Sequence, residues 1–243
     1  MPRFHVDLPL SPGLETALPS GAARHVQVLR LQPGDSIVLF DGAGSDWPAQ
    51  VLQMGRSEVR VRVGAPVAVE RELPLAVTLA VGMPANERMD WLVEKATELG
   101  AGAIEPLLCE RSVLRLSGER AEKKRLHWQA VAIAAAEQSG RARVPLVAPV
   151  TSLAHRLAAD DPRELRLLLS LGDGTGPALP ALQAALQSSR PLRLLSGPEG
   201  GLSPAEDLAA RAAGWLPVTL GPRVLRAETA PLALLATLAS LAG

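Results

Sequence analysis

Over roughly the first seventy residues the apolar positions fall in short runs broken by turn residues. Arg3–Val6, Asp35–Phe40, Ala49–Gln53 and Glu58–Val63 read as strands, with Pro33-Gly34, Asp41-Gly42 and Met54-Gly55 as punctuation. That pattern predicts a small β-barrel. Within it, Ala22–Leu31 is a short amphipathic segment carrying Arg24, His25 and Arg30, and Gly64–Leu73 reads as a linker. From Leu75 the rhythm changes to strand then helix, repeated, which predicts a mostly parallel sheet covered on both faces. Its strands are expected at Leu75–Val81, Ala103–Cys109, Leu165–Leu171, Leu192–Ser196 and Trp215–Leu220. Asn86 can cap a helix whose Met89, Leu92, Val93, Ala96 and Leu99 share one face, and Gly100 ends it. A long helix follows over Ser117–Gly140, its apolar face assigned to Leu126, Ala130, Ile133 and Ala134. Further helices are expected at Ala178–Gln187, Pro204–Ala213 and Ala230–Leu241. The reading is an α/β chain of two domains, residues 1–70 and 71–243.

Composition adds limits. With 243 residues, 47% of them apolar, the chain can bury one good-sized core or two smaller ones. The longest mostly apolar stretch, Ala230–Leu241, is too short to span a bilayer, and the first residues lack a signal-peptide pattern. A cytoplasmic protein without membrane contact is expected. Cys109 is the sole cysteine, which excludes an intrachain disulfide and a cysteine-rich zinc site, and the four histidines lack ligand spacing. No metal is expected. The net charge is zero, so any nucleic-acid site must be local. Between Arg111 and Arg143 eight basic residues face three acids, a pattern open to either a solvated helix face or phosphate contact.

Two glycine-rich segments begin where apolar strands end: Gly197-Pro198-Glu199-Gly200-Gly201 and Gly221-Pro222-Arg223. In open α/β sheets ligands bind beyond the carboxyl ends of strands, and glycine lets backbone approach them closely. The same residues also suit ordinary strand-to-helix turns, with Ser203, Pro204 and Glu206 as a capping box. Neither segment matches the dinucleotide fingerprint or the P-loop, and no serine sits in a nucleophile elbow.

GPEGGLSPAE (Gly197–Glu206) and LGPRVLRAETA (Leu220–Ala230) together resemble the RsmE family of 16S ribosomal RNA (uracil-N3)-methyltransferases, of the SPOUT class. MPRFHV at Met1, HVQVLRLQPGD from His25, FDG at Phe40, EKATELGA from Glu94, ERS at Glu110 and AIAAAEQSGRARVP from Ala132 extend the resemblance over the whole chain in order. It implies a PUA-like barrel followed by a SPOUT domain with a C-terminal trefoil knot, and a homodimer. Knots are exceptions to the ordinary rules of chain connection, and no periodicity predicts one.

The resemblance also implies S-adenosyl-L-methionine as cofactor, held mostly by main-chain groups. Here that points to Leu195, Gly197, Pro198, Glu199, Gly200, Gly201, Leu220, Gly221, Val224, Leu225, Glu228 and Thr229, with Leu171 and Gly172 closing another side. The implied substrate is 16S rRNA in the small ribosomal subunit. Uracil N3 must lose a proton and leave its base pair to react. Arg226 is the candidate for supporting the uracil anion, as a planar permanent cation. Glu199 is the candidate acid beside it; Glu199 or Glu228 could accept the proton or simply bond loop backbone, and water could serve instead. RNA contacts are expected from Arg24, His25, Arg30, Arg111, Arg141 and Arg143. Ribose 2'-O-methylation and a non-catalytic RNA-binding role are the alternatives.

Overall fold

The structure is a computed structural model, and it describes every residue except Ser57, Asn86 and Asp160. The expected helix cap at Asn86 therefore lies outside the described residues. The chain forms two compact units, Met1–Glu72 with Ala136–Val144, and Leu73–Ala135 with Pro145–Gly243.

The first unit runs β1 (Arg3–His5), β2 (Glu15–Ala17), α1 (Ser20–Val28), β3 (Ser36–Phe40), β4 (Ser45–Met54), β5 (Val59–Val63) and β6 (Val67–Ala68). Its strands pair in the order β1-β3-β4-β5-β2, with β6 on β4, and all pairs but β1–β3 are antiparallel. Strict alternation in β5 buries Val59, Val61 and Val63 and exposes Arg60 and Arg62. With Phe4, Ile37, Leu39 and Val26 those valines form the core.

Residues 136–144 belong to this unit, which departs from the expected division at residue 70. They supply main-chain partners that short strands leave wanting. Ala43 bridges Arg143, Gly44 N donates to Ala142 O at 3.0 Å, and Arg71 donates to Gly140 O at 2.6 Å. His5 N donates to the Glu137 carboxylate at 2.8 Å. Arg141, expected as an RNA contact, is 3% exposed and forms an ion pair with Glu72. A guanidinium enclosed and neutralised in this way cannot reach a phosphate, so Arg141 is a structural residue.

The second unit runs β7 (Val77–Gly82), α2 (Glu87–Glu98), β8 (Ala103–Leu108), α3 (Gly118–Ser139, whose end joins the first unit), β9 (Leu146–Val147), β10 (Thr151–Ser152) and α4 (Leu153–Ala158). It continues with β11 (Leu165–Leu169), β12 (Gly176–Pro177), α5 (Ala178–Ser188), β13 (Leu192–Ser196), α6 (Pro204–Ala212), β14 (Leu216–Thr219) and α7 (Thr229–Ala242). The strands form one parallel sheet in the order β10-β8-β7-β13-β11-β14-β12, with β9 on β8. Adjacent residues on the middle strands, such as Leu79 and Ala80 or Leu194 and Leu195, are both buried, because both faces are covered. One face packs Ala80, Leu168 and Leu195 against Leu153, Ala210 and Trp215.

The phase of α3 is a correction. Leu126 is 54% exposed, and Ala130 and Ala134 face outward, while Trp128, Ala132, Ala135 and Ala136 are buried. An alanine-rich helix carries little amphipathic signal, and the side that turns inward is set by Trp128, whose indole N–H donates to Asp90 of α2 at 3.0 Å.

The Glu72→Ala variant should lose about 2 to 3 kcal/mol in urea unfolding at neutral pH, the lower side for a buried pair because Glu72 keeps some solvent contact; unchanged stability would show that the pair holds nothing. Burial, reinforced by the Glu206 carboxylate, pushes the Cys109 thiol up to about 12 against a weaker opposing hydrogen bond with Ser112. Labelling by a disulfide reagent at pH 8 should therefore keep pace with global unfolding, and rapid reaction of the native protein would contradict that.

Candidate active site

The carboxyl ends of β11, β13 and β14 open into three loops, and the loops surround a cavity of about 760 Å³. The loop after β13 is Gly197–Gly201. Its tightness has a backbone cause: a Cβ on Gly197 would lie 2.7 Å from Leu202 N, and Gly201 N closes the turn onto Pro198 O at 2.8 Å. Gly82, at the end of neighbouring β7, leaves no room either, since its Cβ would lie 2.5 Å from Pro198. Behind the loop, Ser203 and Glu206 form the capping box that opens α6. The other Glu206 oxygen accepts from Glu110 N at 2.8 Å, tying the loop region to the end of β8.

The loop after β11 is organised by side chains of α6. Ser170 Oγ donates to Asp207 at 2.9 Å and accepts from Gly172 N at 3.1 Å. Arg211 pairs with Asp207, donates to Ser170 Oγ at 3.2 Å and donates to Asp173 O at 2.9 Å. The loop after β14 begins with Thr219 Oγ1 accepting from Gly221 N at 3.2 Å, and Gly221 takes a φ of +112°. It ends where Arg226 O accepts from Thr229 N and Ala230 N at 2.9 and 3.0 Å, as α7 starts.

Most of the residues expected to hold the cofactor line this one cavity: Leu171, Gly172, Gly197, Pro198, Glu199, Gly200, Gly201, Leu220, Val224 and Leu225. Leu195 is fully buried behind it, and Gly221 lies off its wall. Glu228 and Thr229 line a second cavity of about 410 Å³, which shares Arg88 and Arg226 with the first. Two large apolar side chains on the main wall are open to solvent, Leu171 at 59% and Val224 at 82%. Apolar surface left uncovered inside a cavity is where a planar apolar ligand gains most from binding.

Sequence reading missed Arg88, Ser170 and Asp207. Arg88, on α2, lies 3.3 Å from the Glu199 carboxylate and 3.9 Å from that of Glu228, joining two loops that are distant in sequence. Glu199 also accepts from Ala85 N at 2.7 Å. The usable signal was position, since Arg88 follows the carboxyl end of a central strand just as the glycine loops do.

The residues expected at RNA are divided. Arg24 and His25 are exposed on α1, with Arg30 exposed just beyond it at a positive φ of 54°, and Arg143 is exposed in the same unit. The Phe4 and His25 rings meet in a T-shaped arrangement, with ring centroids 5.2 Å apart. Arg111 is exposed, and one of its nitrogens donates to Gly200 O at 3.0 Å and Leu202 O at 3.4 Å, bracing the glycine loop. Among the described residues no group of three or more His, Cys, Asp or Glu side chains could hold a metal ion, and no helix is long and apolar enough to cross a membrane.

A parallel sheet whose glycine-rich loops gather around one cavity at its carboxyl edge defines an α/β protein with the usual ligand-site architecture of an open sheet. Residues 71–239 match the family model of the RNA methyltransferase domain, and residues 18–64 match that of the RNA methyltransferase PUA domain. Ribosomal RNA small subunit methyltransferase E of Bacillus subtilis is 36% identical over 85% of this chain and 82% of its own. The crystal structure of a ribosomal RNA small subunit methyltransferase E from Neisseria gonorrhoeae bound to S-adenosyl methionine is 36% identical, with a TM-score of 0.91 over 99% of this chain and 98% of that one. A Legionella pneumophila methyltransferase structure, also with bound S-adenosyl methionine, is 32% identical with a TM-score of 0.89 over 98% and 97% of the two chains. The chain belongs to the ribosomal RNA small subunit methyltransferase E family of RNA methyltransferases.

Replacing Arg211 by Ala should speed amide exchange at Gly172 about tenfold, ~1.4 kcal/mol of local stability, by freeing Ser170 and Asp207. Unchanged exchange there would mean that the loop orders itself without α6.

Proposed function

We propose that this chain methylates N3 of a uridine in 16S ribosomal RNA, on the small ribosomal subunit and in the cytoplasm, using S-adenosylmethionine. The observation that carries the cofactor half is the pairing of glycine-rich backbone with uncovered Leu171 and Val224 on one cavity wall. An adenine ring needs apolar surface on its faces and main-chain donors and acceptors at its edge, and a cavity of about 760 Å³ is within the usual range for a ligand of this size. When bound, the cofactor supplies an electrophilic methyl group on a sulfonium.

The protein residues divide the remaining work. Leu171, Leu220, Val224 and Leu225 cover the adenine, and main-chain groups of Gly172, Gly197–Gly201 and Gly221 hold the polar edges, with Leu195 backing them. Arg226, exposed on the wall of both cavities, supports negative charge on the deprotonated uracil ring. Arg24, His25, Arg30 and Arg143 contribute RNA contacts from the first unit, and Arg111 contributes one at the glycine loop. A trefoil knot at the C-terminal loops and a homodimer belong to the same reading.

The decisive experiment is methyl transfer from labelled cofactor to small subunits lacking the modification, followed by nuclease digestion and mass spectrometry. Label in 3-methyluridine supports the proposal; label on a ribose 2'-oxygen, or none, defeats it. Arg226→Ala should keep cofactor affinity within about twofold in calorimetry yet slow transfer at least about tenfold, ~1.4 kcal/mol in the barrier. Full turnover in that variant would remove Arg226 from the chemistry.

A further inference from the structure

The first half of α3 keeps its charges on separate flanks. Arg120, Lys123, Lys124 and His127 follow one another at helical spacing, so they share one side of the helix, and all four are exposed. The stripe covers about 10 Å of helix axis. At its far end His127 meets Asp90 of α2, with 2.8 Å between Nε2 and the carboxylate. The other flank settles its own charges: Arg125 grips Glu122 through two nitrogens and donates to Val147 O at 3.4 Å. The side chains of Arg120, Lys123 and Lys124 form no ion pair or hydrogen bond among the described residues. Glu119, one turn before Lys123, does not pair with it.

That arrangement is unfavourable for the helix by itself. Like charges three and four residues apart repel, and Arg120, in the first turn, faces the positive end of the helix dipole. Arg193 and Arg211 spend their charge fastening distant segments, whereas these three cations are left without a counter-charge. A polyanion lying along the stripe removes both costs. The stripe is also continuous with the candidate active site. Arg111 braces Gly200 and Arg115 donates to Glu110 O at 2.7 Å, so exposed cations lead from the glycine loop to the start of α3.

Resting on the function proposed above, we infer that Arg120, Lys123 and Lys124 form a docking strip for the sugar-phosphate backbone of the ribosomal RNA beside the target nucleotide. The chain has no net charge, so its hold on a polyanion comes from local concentrations of this kind. Two of the three lysines in the chain stand here, and lysine is a mobile point charge that follows phosphates without demanding a fixed geometry. A protein partner fits less well, since protein interfaces centre on aromatic and apolar side chains and are poor in lysine, and no apolar side chain interrupts Arg120, Lys123 and Lys124. Phosphate contacts position a strand and carry no sequence information. The strip therefore sets affinity and placement, and leaves the choice of base to the site.

The test compares the full chain with its Arg120→Gln/Lys123→Gln/Lys124→Gln variant, using small subunits lacking the modification as the probe. Binding is followed by filter retention over a series of potassium chloride concentrations. The logarithm of affinity should fall less steeply with the logarithm of salt in the variant, by about 0.7 to 0.9 for each lost phosphate contact and about 2 in all, and affinity at low salt should drop at least about tenfold. In steady-state methylation the KM for subunits should rise by a similar factor, with kcat at saturating subunits and cofactor affinity in calorimetry held within about twofold. Relieved of its repulsion, the variant should unfold at the same or a higher urea concentration. Arg163→Gln, an exposed charge before β11, is the control and should leave the salt slope unchanged. An unchanged slope and affinity in the triple variant, or a lowered kcat with an unchanged KM, would overturn the inference. Lys124→Cys carrying a photoactivatable cross-linker identifies the partner: cross-links to 16S rRNA support the strip, and cross-links confined to ribosomal protein, or none, overturn it. Should the triple variant fail to fold, that cross-linking decides. Failure of the unaltered enzyme to methylate subunits would defeat the broader function, whereas an active enzyme whose triple variant binds as before defeats the strip alone.

Discussion

Contact between Gly82 and Pro198 sets how closely β7 and β13 can leave the sheet together. Any side chain at Gly82 would meet Pro198 backbone at 2.5 Å, so the two strand ends stay in contact only because one of them carries no Cβ. That approach brings Glu199 to the Ala85 N–H and places Arg88, the second residue of the next helix, against the same carboxylate. Arg88 in turn reaches Glu228 at the start of α7. The main cavity, the second cavity and the wall between them all depend on this one close passage of backbone.

Arginine does most of the long-range fastening. Arg193 joins Glu105 of β8 to Glu164 at the start of β11; burial works against its charge, but hydrogen bonds to both carboxylates outweigh that and raise its pKa. Arg211 does the same for the loop after β11, and Arg141 for the return of residues 136–144 to the first unit. A planar fork can hold two partners at once, which an ammonium does less directionally. Arginine outnumbers lysine 22 to 3 in the chain, and several of those arginines are structural pins.

The site was legible where chemistry resides in the backbone. Glycine and proline at strand ends are visible as letters, and the resemblance of Gly197–Glu206 and Leu220–Ala230 to a known family named the loops before any geometry was available. Side chains arriving from elsewhere were not legible. Arg88, Ser170 and Asp207 lie in segments of ordinary composition, and the one usable signal was position, Arg88 standing just after the carboxyl end of β7. Arg141 failed in the opposite direction: in the sequence it is one more charge in a basic stretch, and only the position of Glu72, 69 residues away, turns it inward.

The same division holds for the fold. Buried parallel strands are continuous apolar runs, so β7, β8, β11, β13 and β14 were readable to within a residue or two, as were the helices ended by proline, serine or glycine signals. Of the two- and three-residue strands only β1 was readable; β2, β6, β9, β10 and β12 were not, because so short a pairing is defined more by its partner than by its own residues. Nor could the inward side of α3 be read from alanines of equal hydrophobicity; one hydrogen bond from Trp128 to Asp90 selects it. Local pattern thus settled which segments are strand or helix and which loops carry glycine, since those preferences act over a few residues. Strand order, the phase of α3, the burial of Arg141 and the meeting of Arg88 with Glu199 and Glu228 required the folded chain, because each depends on groups that only tertiary packing brings within reach.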